Sequence, residues 1–145
     1  MRLAGRVRKE GTLWLAEVPI LDAMTQGRTR REAFRMIVDI VETMADTRGF
    51  EVQVYPGSQG RFQIGTPDAA ALVAVLLRRQ REKRGLSLSE VARRLGARSK
   101  TSYARYEQGR SVPTVAKLFE LLAAVAPTAD FVLQERPHHL RREPG

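Results

Sequence analysis

The stretch Lys100-Thr101-Ser102-Tyr103-Ala104-Arg105-Tyr106-Glu107-Gln108 places side chains able to read base edges on one side of a short helix. At helical spacing Lys100, Thr101, Ala104, Arg105 and Gln108 lie on the outer face, while Tyr103 and Tyr106 lie on the inner one. The guanidinium of Arg105 matches the O6 and N7 acceptors that guanine offers in the major groove, and the methyl of Thr101 or Ala104 matches that of thymine. Each good base contact discriminates by about 1–3 kcal/mol. Around this face stand groups suited to phosphate. They are the cations Lys83, Arg84, Arg98 and Arg110, and the helix starts at Ser87 and Ser99, whose amides point out of the helix.

The charge balance agrees with a polyanionic partner. The chain of 145 residues has a net charge of +9, and its pI is about 10.9. The excess is uneven: residues 1–66 hold 10 basic and 8 acidic groups, and residues 67–145 hold 15 and 8. The absence of cysteine excludes disulfides, thiolate metal sites and cysteine nucleophiles. No apolar run approaches the roughly 20 residues of a membrane helix, and the first residues lack the apolar stretch of a signal peptide. A cytoplasmic protein is expected, with no membrane partner. His138-His139 lacks further ligands nearby, so no metal and no cofactor are expected.

These residues need elements to hold them, and the chain divides into two parts near 56–67, where turn formers cluster. The first part reads as β-β-β-α-β. Residues 1–9 alternate, with Leu3, Gly5 and Val7 on one side, and Glu10-Gly11 is a turn. Thr12–Val18 is a strand stopped by Pro19, and residues 23–26 form a short third strand. Thr29-Arg30-Arg31-Glu32 is a capping box, in which the Glu should return to the cap residue. Ala33, Ile37, Ile40, Val41 and Met44 then mark one apolar helix face, and Gly49 ends that region. Phe50–Tyr55 follows as a strand, with Phe62–Ile64 as a short further one.

The second part reads as helices. Thr66-Pro67-Asp68 signals a start with Thr as the cap. Ser87 to Glu90 is another capping box, Val91 and Leu95 face the core, and small Ala92 lets two helices cross closely. Gly96 allows a positive φ at the helix end, and Gly109 stops the helix from about Ser99 to Gln108. Thr114–Val125 is a last helix. Phe131–Gln134 is a strand candidate, expected to pair across a dimer, and 136–145 is expected to be a flexible tail. The expected organisation is α+β, with a β-α unit at 1–65 and a helical unit at 66–135.

The Leu86-Ser87 start, the Ala92 and Gly96 pair, the apolar inner face of the second helix and the Glu107-x-Gly109 ending with Pro113 beyond it resemble the Cro/XRE-type helix-turn-helix family over about 60 residues. The turn before Tyr103 is one residue longer than usual, and Leu88 stands where the family often has Gln. The resemblance implies operator binding as a homodimer or higher homo-oligomer, and an ion pair between Arg81 and Glu107 that fixes the recognition helix.

The first part is similar to HicB antitoxins. The residues that carry this are Trp14-Leu15-Ala16-Glu17-Val18-Pro19 and Thr25-Gln26-Gly27-Arg28-Thr29-Arg30-Arg31-Glu32-Ala33, although Ile20-Leu21-Asp22-Ala23 replaces the family's Pro-x-Leu-x-Gly. That resemblance implies a degraded RNase H-like fold that binds and neutralises an mRNA-cleaving HicA-type toxin, with Trp14, Thr25 and Gln26 as contact residues, while the helical unit represses the operon. Trp14 on its own reads as buried packing. The other reading is a stand-alone repressor with a ligand-sensing first unit. Enzymatic activity is not expected: the first strand, residues 1–9, has no acid at all, and Glu17, Asp22, Glu32 and Asp39 are spread over different elements.

Overall fold

The computed structural model describes residues 1–136, so 137–145 of the expected tail, with His138 and His139, lie outside the described residues. Alternation makes β1 (Arg2–Glu10): Leu3, Gly5 and Val7 turn inward, and Arg2, Ala4, Arg6 and Arg8 turn outward. A hairpin at Gly11, whose φ is 61°, leads to β2 (Leu13–Val18). Pro19 opens a single turn of 3-10 helix, Pro19–Leu21, before β3 (Ala23–Gly27). After α1 (Arg30–Ala45) come β4 (Gln53–Pro56) and β5 (Arg61–Gly65).

The sheet runs β3-β2-β1-β5-β4, and every neighbouring pair is antiparallel. The unit is therefore β-β-β-α-β-β, in which β5 is the short further strand expected at Phe62–Ile64. It is β5 that lies beside β1, and β4 is the edge. Phe50–Val52 is not part of β4: the Val52 amide donates to the Glu42 carboxylate at 3.0 Å instead of to a ladder partner. Gly5 has a packing reason. A Cβ there would fall 2.3 Å from the Phe62 ring, which lies across β1 from β5.

α1 covers one face of the sheet with Ala33, Ile37 and Val41, all buried, while Ile40 and Met44 pack at its margin. Burying an Ile or Val fully contributes about 1.5–3 kcal/mol. Thr29 caps the helix by accepting from the Glu32 amide at 3.0 Å. The Glu32 carboxylate lands on the Arg28 amide, one residue before the cap, rather than on Thr29 itself.

α2 (Ala69–Lys83) is capped by Asp68, which accepts from Ala71 at 3.0 Å, and not by Thr66. The Thr66 hydroxyl instead accepts from the Asp68 amide, because the chain enters the helix only after Pro67. Every residue from Ala71 to Leu77 is buried. A helix apolar all round must be covered on all sides. α2 packs against α1 and the Pro19–Leu21 turn, and also against the helices that follow. Polar clamps reinforce the first contact: Arg79 donates to the Leu21 and Asp22 carbonyls at 2.8 and 3.0 Å, Gln80 to Ile20 at 2.6 Å, and Arg78 to the Met44 carbonyl.

The chain ends in α3 (Leu88–Arg94), α4 (Lys100–Glu107) and α5 (Val115–Val125). Within the single chain Phe131–Gln134 forms no strand, because among the described residues no strand lies against it. Phe131 leans on the core, while Val132 and Leu133 are 85% and 79% exposed. Among the described residues no helix is long and apolar enough to cross a membrane.

Candidate nucleic-acid interface

The interface is built by two short helices and the turn between them. α3 begins with a complete capping box: Ser87 Oγ accepts from the Glu90 amide at 3.1 Å, and the Glu90 carboxylate accepts from the Ser87 amide at 3.3 Å. Val91 and Ala92 turn inward. Gly96 takes φ 70°, a conformation that costs an L side chain about 1–2 kcal/mol, and turns the chain out of α3. The Ala97 amide then returns to the Ala92 carbonyl at 2.9 Å. Ser99 caps α4 through the Thr101 amide at 3.1 Å.

On α4 only Tyr103 is fully buried, and Tyr106 is half-buried beside it. Lys100, Thr101, Arg105 and Gln108 are exposed and Ala104 is half-exposed, so the expected base-reading residues share the open face. What holds α4 in place is a buried anchor. Arg81 on α2 grips the Glu107 carboxylate with two hydrogen bonds, Nε at 2.7 Å and a terminal nitrogen at 3.1 Å, and its other terminal nitrogen donates to the Leu86 carbonyl at 2.8 Å. The Tyr103 hydroxyl donates to the same carboxylate at 2.8 Å. The Glu107 side chain is only 7% exposed, so its charge is spent inside the fold rather than set against phosphate. Burial pushes the Tyr103 phenol far above its ordinary range, and the adjacent Glu107 carboxylate pushes in the same direction. The hydrogen bond to Glu107 raises Arg81 further, against the opposing effect of burial.

Among the expected phosphate contacts, Lys83, Ser87, Arg98, Ser99 and Arg110 are exposed. Arg84 is not: it folds back to donate to the Gln80 carbonyl at 3.2 Å and side-chain oxygen at 2.5 Å. Its guanidinium serves the inside of the protein because Gln80 is itself buried and has an acceptor to satisfy. Leu88 packs at the margin of the core and offers DNA no polar group. A hollow of about 280 Å³ opens between α3 and the start of α4, lined by Ser89, Ala92, Arg93, Ala97, Arg98 and Lys100. It holds three cations and no carboxylate, which suits a phosphate group. The sequence reasoning missed Ser89 and Arg93. Their four-residue spacing on the polar side of α3 was the available signal.

In the sheet half Trp14, Thr25 and Gln26 do not form one surface. Alternation turns Trp14 and Thr25 toward the helix-covered face, where Trp14 packs against the core, and turns Gln26 to the opposite face. The carboxylates stay apart. Glu17 lies between Arg6 and Arg8, and Asp22 sits in the turn before β3. Glu32 caps α1, on which Asp39 is exposed. Among the described residues no three potential metal ligands gather.

No curated protein matches the chain. Residues 72–130 match the family model described as a helix-turn-helix domain. That range takes in the whole of α3, its turn, α4 and the anchor between Arg81 and Glu107, so this part of the chain is a helix-turn-helix domain, which supports DNA binding.

Proposed function

We propose that the protein is a transcriptional repressor that reads operator DNA with α4, and that its sheet half binds a partner protein as an antitoxin of the HicB type binds a HicA-type toxin. One observation carries the DNA reading. A short helix is locked from behind by Arg81, Glu107 and Tyr103, presents Lys100, Thr101, Ala104 and Arg105 outward, and is flanked by a cation-lined hollow without carboxylates. The antitoxin part rests on the resemblance of residues 14–33 and on the strand, turn and helix order of the first unit.

Two half-sites call for two copies. Val112, ahead of α5, and Val115 and Phe119 on it are exposed, and Val132 and Leu133 follow it. Residues 112–134 contain Lys117, Glu120 and Asp130 as their only charged side chains. In a chain of net charge +9 this stretch is where two copies meet with least repulsion.

A second reading, a repressor that answers to a small polar ligand, is favoured by one feature. A hollow of about 330 Å³ between the end of α1 and the end of α4 is lined by Asp46, Thr47, Arg78, Gln108 and Arg110 among others.

Fluorescence anisotropy on DNA from the protein's own promoter tests the repressor. Arg105→Ala should lose about 1–3 kcal/mol of discrimination at one base position. Lys83→Ala or Arg110→Ala should weaken all sequences alike and lower the salt slope by about one unit. Equal loss on every sequence from Arg105→Ala would move it to a phosphate contact. Purification from the native cell separates the two readings: a small toxic protein bound in stoichiometric amount supports the antitoxin, and its absence leaves the ligand-controlled repressor.

A further inference from the structure

We infer that the hollow between the end of α1 and the end of α4 binds a small zwitterion of the amino-acid class, and that the bound zwitterion loosens the protein's hold on DNA. This rests on reading the protein as a repressor that answers to a small polar ligand. At about 330 Å³ the hollow lies near the lower end of the range for ligand sites, so its occupant is small. Ala45, Ala71 and Ala74 give it an apolar floor. Its polar wall carries both signs of charge, Asp46 and Asp68 against Arg78 and Arg110.

These charges select the ligand. The third acid on the wall, Glu107, is already held by Arg81 and Tyr103. Asp68 uses one carboxylate oxygen on the Ala71 amide. Among the described residues Asp46, Asp68 and Arg110 have no ion-pair partner. Arg78 donates to the Met44 carbonyl and is thereby fixed in place. A plain anion would meet the two carboxylates, and a plain cation would meet the two guanidiniums. A molecule with an ammonium for the acids and a carboxylate for the arginines satisfies both. A metal ion is disfavoured, because among the described residues no three potential ligands gather.

Two residues tie the hollow to function. Asp46 closes α1 with φ 46°, a left-handed conformation that suits glycine better. It also sets a negative charge at the negative end of α1, whose last turn has no basic residue. The carboxylate thus stands where it weakens the fold, a placement that a binding role explains. Arg110, just beyond α4, is exposed and is one of the cations placed for phosphate. A ligand carboxylate on Arg110 takes that cation away from the DNA backbone. The effect is reciprocal: the ligand weakens DNA binding, and DNA weakens ligand binding, by the same factor.

NMR of the full chain tests the site, with each of the twenty α-amino acids as probes and with propionate and propylamine as single-charge controls. At least one amino acid should shift the amides of residues 45–47, 68–74 and 107–110 at a concentration where neither control does. Asp46→Asn should weaken that amino acid by about tenfold, through loss of one charge-assisted contact. The same variant should melt at the parent temperature or above it, because asparagine suits the left-handed backbone and removes the charge from the helix end. A carboxylate with only a structural role would give a lower melting temperature instead. Should Asp46→Asn fold poorly, Asp46→Gly carries the same test. On promoter DNA the amino acid should lower affinity about tenfold for the parent and leave Arg110→Ala unaffected. A control that binds as tightly as any amino acid, or unchanged affinity in Asp46→Asn, would overturn the zwitterion and leave a ligand-answering repressor standing. No probe at the hollow would overturn both. An amino acid that binds there without weakening DNA would overturn the regulatory half of the inference.

Discussion

Glu107 is the residue on which the recognition helix turns, since one buried carboxylate takes three hydrogen bonds from two side chains. Removing Arg81 leaves that charge unpaired inside the protein. Arg81→Ala should therefore cost about 3 kcal/mol in urea unfolding, and Arg81→Lys should recover only part of it, because an ammonium cannot grip both carboxylate oxygens while reaching the Leu86 carbonyl. Tyr103 adds a pH dependence with a definite sign. Its folded-state phenol stays protonated well above the unfolded value of about 10. Its contribution is thus fully present below about pH 10 and is lost as pH rises further, where only the unfolded chain releases the proton. Tyr103→Phe should lower stability at neutral pH by about 1–2 kcal/mol and flatten the alkaline decline. An equally steep decline in the variant would place the effect elsewhere. The link between Arg81 and Glu107 could be read from sequence because a family pattern fixes both positions. The inward turn of Arg84 could not, because it depends on Gln80 and on a carbonyl at Ile20, 60 residues away.

At the scale of elements, local chemistry fixed the helices better than the strands. The Ser87 capping box, the φ of Gly96 and the stop at Gly109 each act within a few residues, so they are visible in the sequence. Where two local signals compete, the fold decides. Thr66 and Asp68 both suit a helix start, and Asp68 takes the cap because its carboxylate reaches the third amide and sits at the positive helix end. Asp68→Ala should cost about 1 kcal/mol and Thr66→Ala less, as thermal melts can decide. The reverse order would return the cap to Thr66. Strand pairing is a long-range choice and shows the opposite behaviour. Alternation predicted which residues of β1 point inward, but nothing local says that β5 rather than β4 lies beside it. Val132 and Leu133 have strand-like chemistry, yet within the single chain no ladder lies beside them and they form no strand there.

At the scale of the molecule, α2 is the element that both halves share. The shift in charge and the turn formers near 56–67 suggest two units, but the helix that follows them is buried all round, and a single apolar cluster runs from the sheet through α2 to α5. Four consecutive side chains divide the work: Arg78, Arg79 and Gln80 bind the sheet half, and Arg81 binds the recognition helix. The sheet half is therefore one body with the helix-turn-helix, and neither half can lose α2 without uncovering its own core. Unfolding should then be a single event. Trp14, the one tryptophan, reports on β2, and the helical circular dichroism signal reports mainly on the later helices, so the two probes should give coincident denaturant midpoints. Gln80→Ala removes a buried amide that joins Ile20 to Arg84; it should lower both midpoints together, with a loss of about 2 kcal/mol in unfolding free energy. A tryptophan transition that moves alone, or that precedes the helical one in the parent protein, would show that the sheet half unfolds independently and that α2 does not couple it to the recognition helix.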